Sequence, residues 1–164
     1  MKTLYMVRHA KSSWDYPELD DIDRPLSKRG KKNAPEMGRR LAARNILPQI
    51  LVCSPAKRAI STALRIADEI GFPREAIVSE DRLYLASVED IVDVIRQTGN
   101  EVNSLMIFGH NPGFTDTANR LCGSDIYNIP TCGIAAIRFD IDDWQSVEPG
   151  EGHLLFFDFP KKEE

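Results

Sequence analysis

The chain has no means of building a disulfide framework. Its three cysteines, Cys53, Cys122 and Cys132, are an odd number with no C-x-x-C pair. That argues against a disulfide scaffold or a zinc knuckle and for buried free thiols. No apolar run approaches the roughly 18–20 residues of a membrane span, so no membrane partner is expected. No long apolar stretch with a small-residue cleavage site accompanies the strand-like Thr3-Leu4-Tyr5-Met6-Val7. No signal peptide is therefore read, and the expected location is the cytoplasm. Positive charge is not in excess either: the net charge is −4, which argues against a nucleic-acid partner. A phosphate site is still open, because it needs only a few local cations. Repeats, linkers and low-complexity segments are missing too.

What is present suits a globular α/β protein. Hydrophobic residues are 42% and charged residues 28% of 164, a normal balance for one domain spanning 1–164. Short apolar runs alternate with helical patterns. Leu4–Val7 predicts a buried strand, followed by a long polar loop to about Pro25. Ser27 caps a helix to about Asn45, with Pro35 awkwardly inside it. Ile50–Cys53 is a second strand. Ser54-Pro55 reads as N-cap and first helical residue. The helix begun there should reach Ile70, with Ile60, Ala63, Leu64, Ala67 and Ile70 facing the core, and Gly71 should end it. Ala76–Val78 is a short strand, and Ser87 with Asp90 starts a helix over Val88–Gln97. Leu105–Phe108 is a fourth strand, Gly109 to Gly113 turns into a helix ending near Leu121, and Ile134–Phe139 and Leu154–Phe159 form the last, antiparallel pair. The expected fold is a three-layer α/β arrangement: a mostly parallel central sheet with helices on both faces and antiparallel pairing near the C-terminus.

Open α/β sheets bind ligands beyond the carboxyl ends of their strands. The first strand is followed by Arg8 and His9, the second by Ser54 and then Arg58, the fourth by Gly109 and His110. Two arginines and two histidines converge on one rim. Neighbouring guanidinium groups repel unless an anion lies between them, and they grip phosphate oxygens in pairs. A histidine among them is held neutral near pH 7, and a neutral imidazole nitrogen can attack phosphorus. The second histidine can donate a hydrogen bond to the oxygens that gather charge. No metal or other cofactor is required. The turn at Pro112-Gly113 adds a helix N-terminus favourable to an anion.

These residues carry a resemblance. Arg8-His9-Ala10 is similar to the Arg-His-Gly signature of the histidine phosphatase, or phosphoglycerate mutase-like, superfamily. Leu26-Ser27-Lys28-Arg29-Gly30, Ser54-Pro55-Ala56-Lys57-Arg58-Ala59 with Thr62-Ala63, and Gly109-His110-Asn111-Pro112-Gly113 resemble its further motifs, in the same order. The short length, Arg8-His9-Ala10-Lys11-Ser12-Ser13-Trp14, Asp23-Arg24-Pro25-Leu26 and the Gly-His-Asn-Pro-Gly run resemble its SixA-type phosphohistidine phosphatase branch. The resemblance implies the phosphoglycerate mutase-like fold, with His9 as nucleophile, Arg8 and Arg58 as phosphate clamps and His110 as transition-state partner. It implies further phosphate contacts from Arg24 and Ser12. Asp15 falls where mutase-like relatives carry asparagine. A phosphohistidine-bearing protein, such as a histidine phosphotransfer domain, is the implied partner, with inorganic phosphate as product.

Two departures sharpen the expectation. Larger relatives carry a glutamate acid after the third strand; here Glu80 and Asp81 lie close but out of place, and Asp23 is a further candidate. An alkoxide leaving group needs such an acid, whereas a nitrogen-bound phosphoryl group leaves readily. Between Ile70 and Leu105 there is no room for a lid, so an open, shallow site is expected, suited to a side chain on another protein. The alternatives are a small-molecule phosphate ester phosphatase and a catalytically weak module that binds phosphorylated partners. The acidic run Asp20, Asp21, Asp23 is read as a solvated or capping loop rather than a Mg²⁺ site. Arg24 and Arg29 read about equally well as surface charges, His153 is read as a strand-surface group, and Trp14 as packing over its loop. Cys53 and Arg58 are separated by four residues; a cysteine phosphatase loop needs five, and Pro55 removes a needed N–H.

Overall fold

The computed structural model describes residues 1–161. The strands are β1 (Lys2–Arg8), β2 (Ile50–Cys53), β3 (Val78–Ser79), β4 (Ser104–Gly109), β5 (Ile134–Phe139) and β6 (His153–Asp158), and the helices α1 (Lys28–Ala43), α2 (Lys57–Ile70), α3 (Val88–Arg96) and α4 (Gly113–Cys122). They build one six-stranded sheet in the order β3-β2-β4-β1-β5-β6. The first four in that order are mutually parallel; β5 runs antiparallel to β1, and β6 antiparallel to β5.

Side chains alternate across a strand, and here the alternation divides two cores. Leu4 and Met6 of β1, Leu105 and Ile107 of β4 and Ala135 and Ile137 of β5 pack on one face with Ile91 and Val94 of α3 and Phe114 and Leu121 of α4. Val7, Met106 and Phe108 turn to the other face, where they meet Ala34, Met37 and Leu41 of α1 and Ala59, Ala63 and Ile66 of α2. Fully burying a Met or Leu side chain contributes about 1.5–3 kcal/mol. The three-layer, mostly parallel arrangement with an antiparallel C-terminal pair is the one the sequence predicts.

Local signals account for most element ends. Ser27 accepts a bond from the Gly30 N–H and caps α1. Ser87 does the same for α3 through Asp90, and Gly71 ends α2 in the left-handed region at φ 83°. Pro35 lies inside α1, which continues past it to Ala43. Three expectations need correction. α2 starts at Lys57 after Ala56, not at Pro55; Ser54 Oγ bonds both the Ala56 N–H and His110, distant in sequence. Its buried face is Ala59, Thr62, Ala63, Ile66 and Ala67, while Ile60, Leu64 and Ile70 are only partly covered. The short third strand also begins later than predicted, since Arg74–Ala76 forms a 3-10 turn first.

Register positions the site. Arg8 pairs with Gly109 across β1 and β4, and Cys53 with Phe108 across β2 and β4. His9 N–H then bonds the Gly109 carbonyl at 3.1 Å and Ser54 N–H the Phe108 carbonyl at 3.0 Å. Three strands thus release their next residues side by side. The loop after β1 is fastened by a Ser12–Leu26 bridge and by Ser27 N–H on the Lys11 carbonyl. Gly30 explains its own identity there: a Cβ would sit 2.2 Å from the Lys11 carbonyl oxygen.

Candidate functional site

At the carboxyl end of β1, β2 and β4 lies a cleft of about 230 Å³ lined by Arg8, His9, Lys11, Ser12, Trp14, Arg24, Arg58 and Thr131. A slightly larger hollow of about 260 Å³ lies between α3, α4 and the segment Val147–Pro149, where Glu89, Asp93 and Glu148 mix with Arg96 and Arg120. Only the first brings arginines together around a histidine.

His9 is only 8% exposed. Its Nδ1 lies 2.7 Å from the Ala10 carbonyl oxygen. A carbonyl can only accept, so Nδ1 carries the proton and Nε2 keeps its lone pair. Burial lowers the His9 pKa to about 4, helped by the charges of Arg58, Arg8 and Arg24 against the opposing Ala10 bond. The ring is therefore neutral at pH 7. Ala10 N–H in turn donates to Thr62 Oγ1 at 2.9 Å, which ties the histidine's backbone to α2.

His110 stands beside His9, with ring centroids 5.1 Å apart. Its Nε2 is 2.8 Å from Ser54 Oγ. The Ser54 oxygen also accepts from Ala56 N–H, and its hydroxyl can still either give its proton to Nε2 or take one from it. His110 Nδ1 is a buried atom with no partner among the described residues; when Ser54 gives its proton to Nε2, that nitrogen carries the ring's N–H. Burial, followed by the charges of His9 and Arg58, holds the His110 pKa at about 3 against the pull of Asp21. His110 is thus a neutral ring with an unpartnered nitrogen.

The three arginines are held by bonds to neighbouring loops. Arg8 Nη1 donates to the Ile129 carbonyl at 2.9 Å, and its buried Nε has no partner among the described residues. That carbonyl also accepts from Asn111 Nδ2, so the Gly-His-Asn-Pro-Gly turn fixes the loop that fixes Arg8. Arg58 donates from Nη1 to the Asp21 main-chain carbonyl at 2.7 Å and from Nη2 to Asp21 Oδ2 at 3.0 Å. Arg24 donates to the Ser13 carbonyl, to Asp21 Oδ1 at 3.1 Å and to Ser12 Oγ.

All six predicted site residues therefore meet at one place: His9, Arg8, Arg58, Arg24 and Ser12 on the cleft wall, and the His110 ring against that of His9. Other expectations fare differently. Trp14 is 77% exposed and stacks on Arg24, whose guanidinium carbon lies 3.4 Å from the ring centroid. The N-terminus of α4 does not line the cleft; Gly113 packs against the Ala86 carbonyl instead. Glu80 turns to Arg82, and neither it, Asp81 nor Asp23 is on the cleft wall. Asp21 is exposed, as its loop suggests, but it also bonds both Arg24 and Arg58 and accepts from the Tyr84 hydroxyl. Asp21, Tyr84 and Ser54 were not legible as site residues. Only their position shows the role, although Ser54 stands inside the Ser-Pro motif. Among the described residues no group of three His, Cys, Asp or Glu could hold a metal ion, and no helix is long and apolar enough to cross a membrane.

Residues 4–84 match the family described as the histidine phosphatase superfamily, branch 1. An uncharacterized protein of Mycobacterium tuberculosis is 34% identical over 94% of this chain and 100% of its own length. The chain belongs to the histidine phosphatase superfamily. Among solved structures, a candidate phosphohistidine phosphatase SixA from Agrobacterium tumefaciens is 27% identical, covers 97% of this chain and 98% of its own, and superposes with a TM-score of 0.84. The protein histidine phosphatase SixA complexed with tungstate shares the fold, with a TM-score of 0.82 at 22% identity over 96% and 97% of the two chains. Within the superfamily this chain is thus SixA-like in sequence and shape.

Proposed function

We propose that the chain is a metal-independent phosphatase that removes phosphate from phosphohistidine on a protein, through a phospho-His9 intermediate. The observation that carries this reading is the state of His9. It is a neutral ring with Nδ1 spent on Ala10, and it lies on the wall of a cleft lined by Arg8, Arg24 and Arg58.

In the first step His9 Nε2 attacks the substrate phosphorus in line, and the P–N bond of the substrate histidine breaks. When the far nitrogen of that histidine carries a proton, its ring leaves neutral and no proton moves. The transfer then runs between two imidazoles in the same charge state, so neither side needs an acid. An alkoxide leaving group would need one, and Asp21, the carboxylate bonded to Arg24 and Arg58, is held ionised there with its pKa lowered to about 2. In the second step water attacks phospho-His9. The electron pair returns to Nε2, and the water's protons leave with inorganic phosphate. Arg8, Arg24, Arg58 and the His110 Nδ1–H hold the equatorial oxygens in both steps, with Ser12 orienting Arg24. Positioning and charge stabilisation supply the catalysis, as is general in phosphoryl transfer.

A histidine phosphotransfer protein in the cytoplasm is the partner this chemistry suits, since the substrate must enter an open cleft. The test is a paired hydrolysis assay with chelator present. One arm uses a phosphohistidine peptide, the other a panel of phosphate esters, with His9→Ala as control. Fast phosphohistidine cleavage, an acid-labile phosphoenzyme and loss of both in His9→Ala are expected. Ester-selective turnover would favour the small-molecule reading instead, and binding without turnover the weak-module reading.

A further inference from the structure

The acidic side chain at the centre of the clamp has no part in the two steps of phosphoryl transfer, yet it is the most connected residue of the site. Asp21 accepts from Arg58 and Tyr84 on Oδ2, from Arg24 on Oδ1, and from Arg58 Nη1 and Arg24 N–H on its main-chain carbonyl. Tyr84 in turn sets its ring edge-on to His110, with centroids 5.5 Å apart. Asp21 itself is absent from the cleft wall.

We propose that Asp21 is the positioning residue of the clamp: it holds Arg24 and Arg58 together from behind, so that both guanidinium groups meet the phosphoryl oxygens already oriented, and through Tyr84 it braces His110. Two like charges aimed into one cleft repel each other. A bound phosphoryl group would offset that repulsion only while it is present. Asp21 offsets it permanently and does so without filling the substrate's place. A guanidinium has five donors. Arg58 spends two of them on Asp21 and keeps three. The arrangement is therefore set before substrate arrives, and no reorganisation is needed when charge shifts in the transition state.

The experiment compares Asp21→Asn, Asp21→Ala and Tyr84→Phe with the wild type, each checked for native melting. Turnover is read beside the binding of two probes, inorganic phosphate and orthovanadate, the latter standing in for the five-coordinate transition state. A positioning role lowers kcat by about 10–100-fold. It changes KM and phosphate affinity by less than about threefold and weakens vanadate by a factor close to that in kcat. Tyr84→Phe shows a smaller loss in the same direction, and combining it with Asp21→Asn adds little. A residue that only stabilised the fold would lower the melting temperature without separating vanadate from phosphate. Wild-type kcat in Asp21→Asn overturns the proposal. So does an effect confined to KM, or faster turnover with tighter phosphate, which would make Asp21 a competitor of the substrate. The proposal rests on the phosphate-clamp part of the proposed function, not on the leaving group. If an ester proves to be the substrate, kcat is read on that ester, while the vanadate arm needs no turnover at all.

Discussion

Acid should unfold this protein earlier than its carboxylates alone would dictate, and replacing His9 should delay the effect. The native pKa values of His9 and His110 are lowered to about 4 and about 3, from 6.5. Because burial is the first cause of both, an unfolded chain loses the shift. Between pH 6.5 and 4 the unfolded chain binds protons that the native one refuses, so stability rises with pH in this window and falls as pH falls through it. Working the linkage for His9 from pH 7 to about pH 4.5 gives a loss of about 2.5 kcal/mol, and His110 contributes a similar figure. Together they approach about 5 kcal/mol, a large share of the 5–15 kcal/mol typical of a domain. Asp21 does not confuse the window: its carboxyl is held at about 2 by Tyr84, Arg58 and Arg24 in spite of burial, so its contribution is lost only below its unfolded value of 3.8. The assay is urea unfolding of the wild type and His9→Asn at both pH values, followed by circular dichroism in a buffer without phosphate. Asparagine does not titrate, so His9→Asn should lose at least about 2.5 kcal/mol less than the wild type on acidification. Removing His9 also lifts part of the depression on His110, because the His9 charge is one of its causes. If both proteins lose the same stability to within about 1 kcal/mol, His9 is not buried neutral and the nucleophile argument fails with it.

The contacts dictate three further outcomes. Arg58→Lys keeps the charge but loses the fork that spans the Asp21 carbonyl and carboxylate; kcat/KM should fall by about 100-fold with native melting, and an unchanged value would remove Arg58 from the clamp. Ser54→Ala removes the partner of His110 Nε2 and leaves that buried nitrogen unpaired; steady-state kinetics should show kcat reduced about tenfold, and chemical denaturation a loss of about 1–3 kcal/mol. Gly30→Ala drives a Cβ into the Lys11 carbonyl, so denaturation should show a loss of about 1–3 kcal/mol and titration a weaker phosphate site, because Lys11 opens the loop that carries Ser12, Trp14 and Arg24.

The site was legible in the sequence wherever one strand end and one residue type sufficed to define it. Arg8-His9, Arg58 and His110 each come after a readable apolar run, and parallel strands deliver their next residues to one rim. Register did the rest: Arg8 beside Gly109 and Cys53 beside Phe108 bring the three segments together with no long-range signal needed. Ser54 was misread for a physical reason. Ser-Pro is a sound local helix start, and Ser54 Oγ does accept from the Ala56 N–H, but its hydroxyl also reaches His110, a use only the folded chain shows, and the helix proper begins at Lys57. The turn of α2's buried face has the same logic, since Arg58 and Thr62 are drawn inward by Asp21 and by the Ala10 N–H, although neither is apolar. Asp21 was invisible for the opposite reason. Asp15, Glu18, Asp20 and Asp23 surround it in a loop where every acid looks equally solvated, and only folding sets one carboxylate between two guanidinium groups. Strand periodicity therefore reveals Arg8, His9, Arg58 and His110, which the strand ends bring together, whereas Asp21, which bonds the arginines between the strands, appears only in three dimensions. A search for clamp-holding residues in a chain of this kind should start from the polar atoms nearest Arg24 and Arg58, not from the motifs themselves.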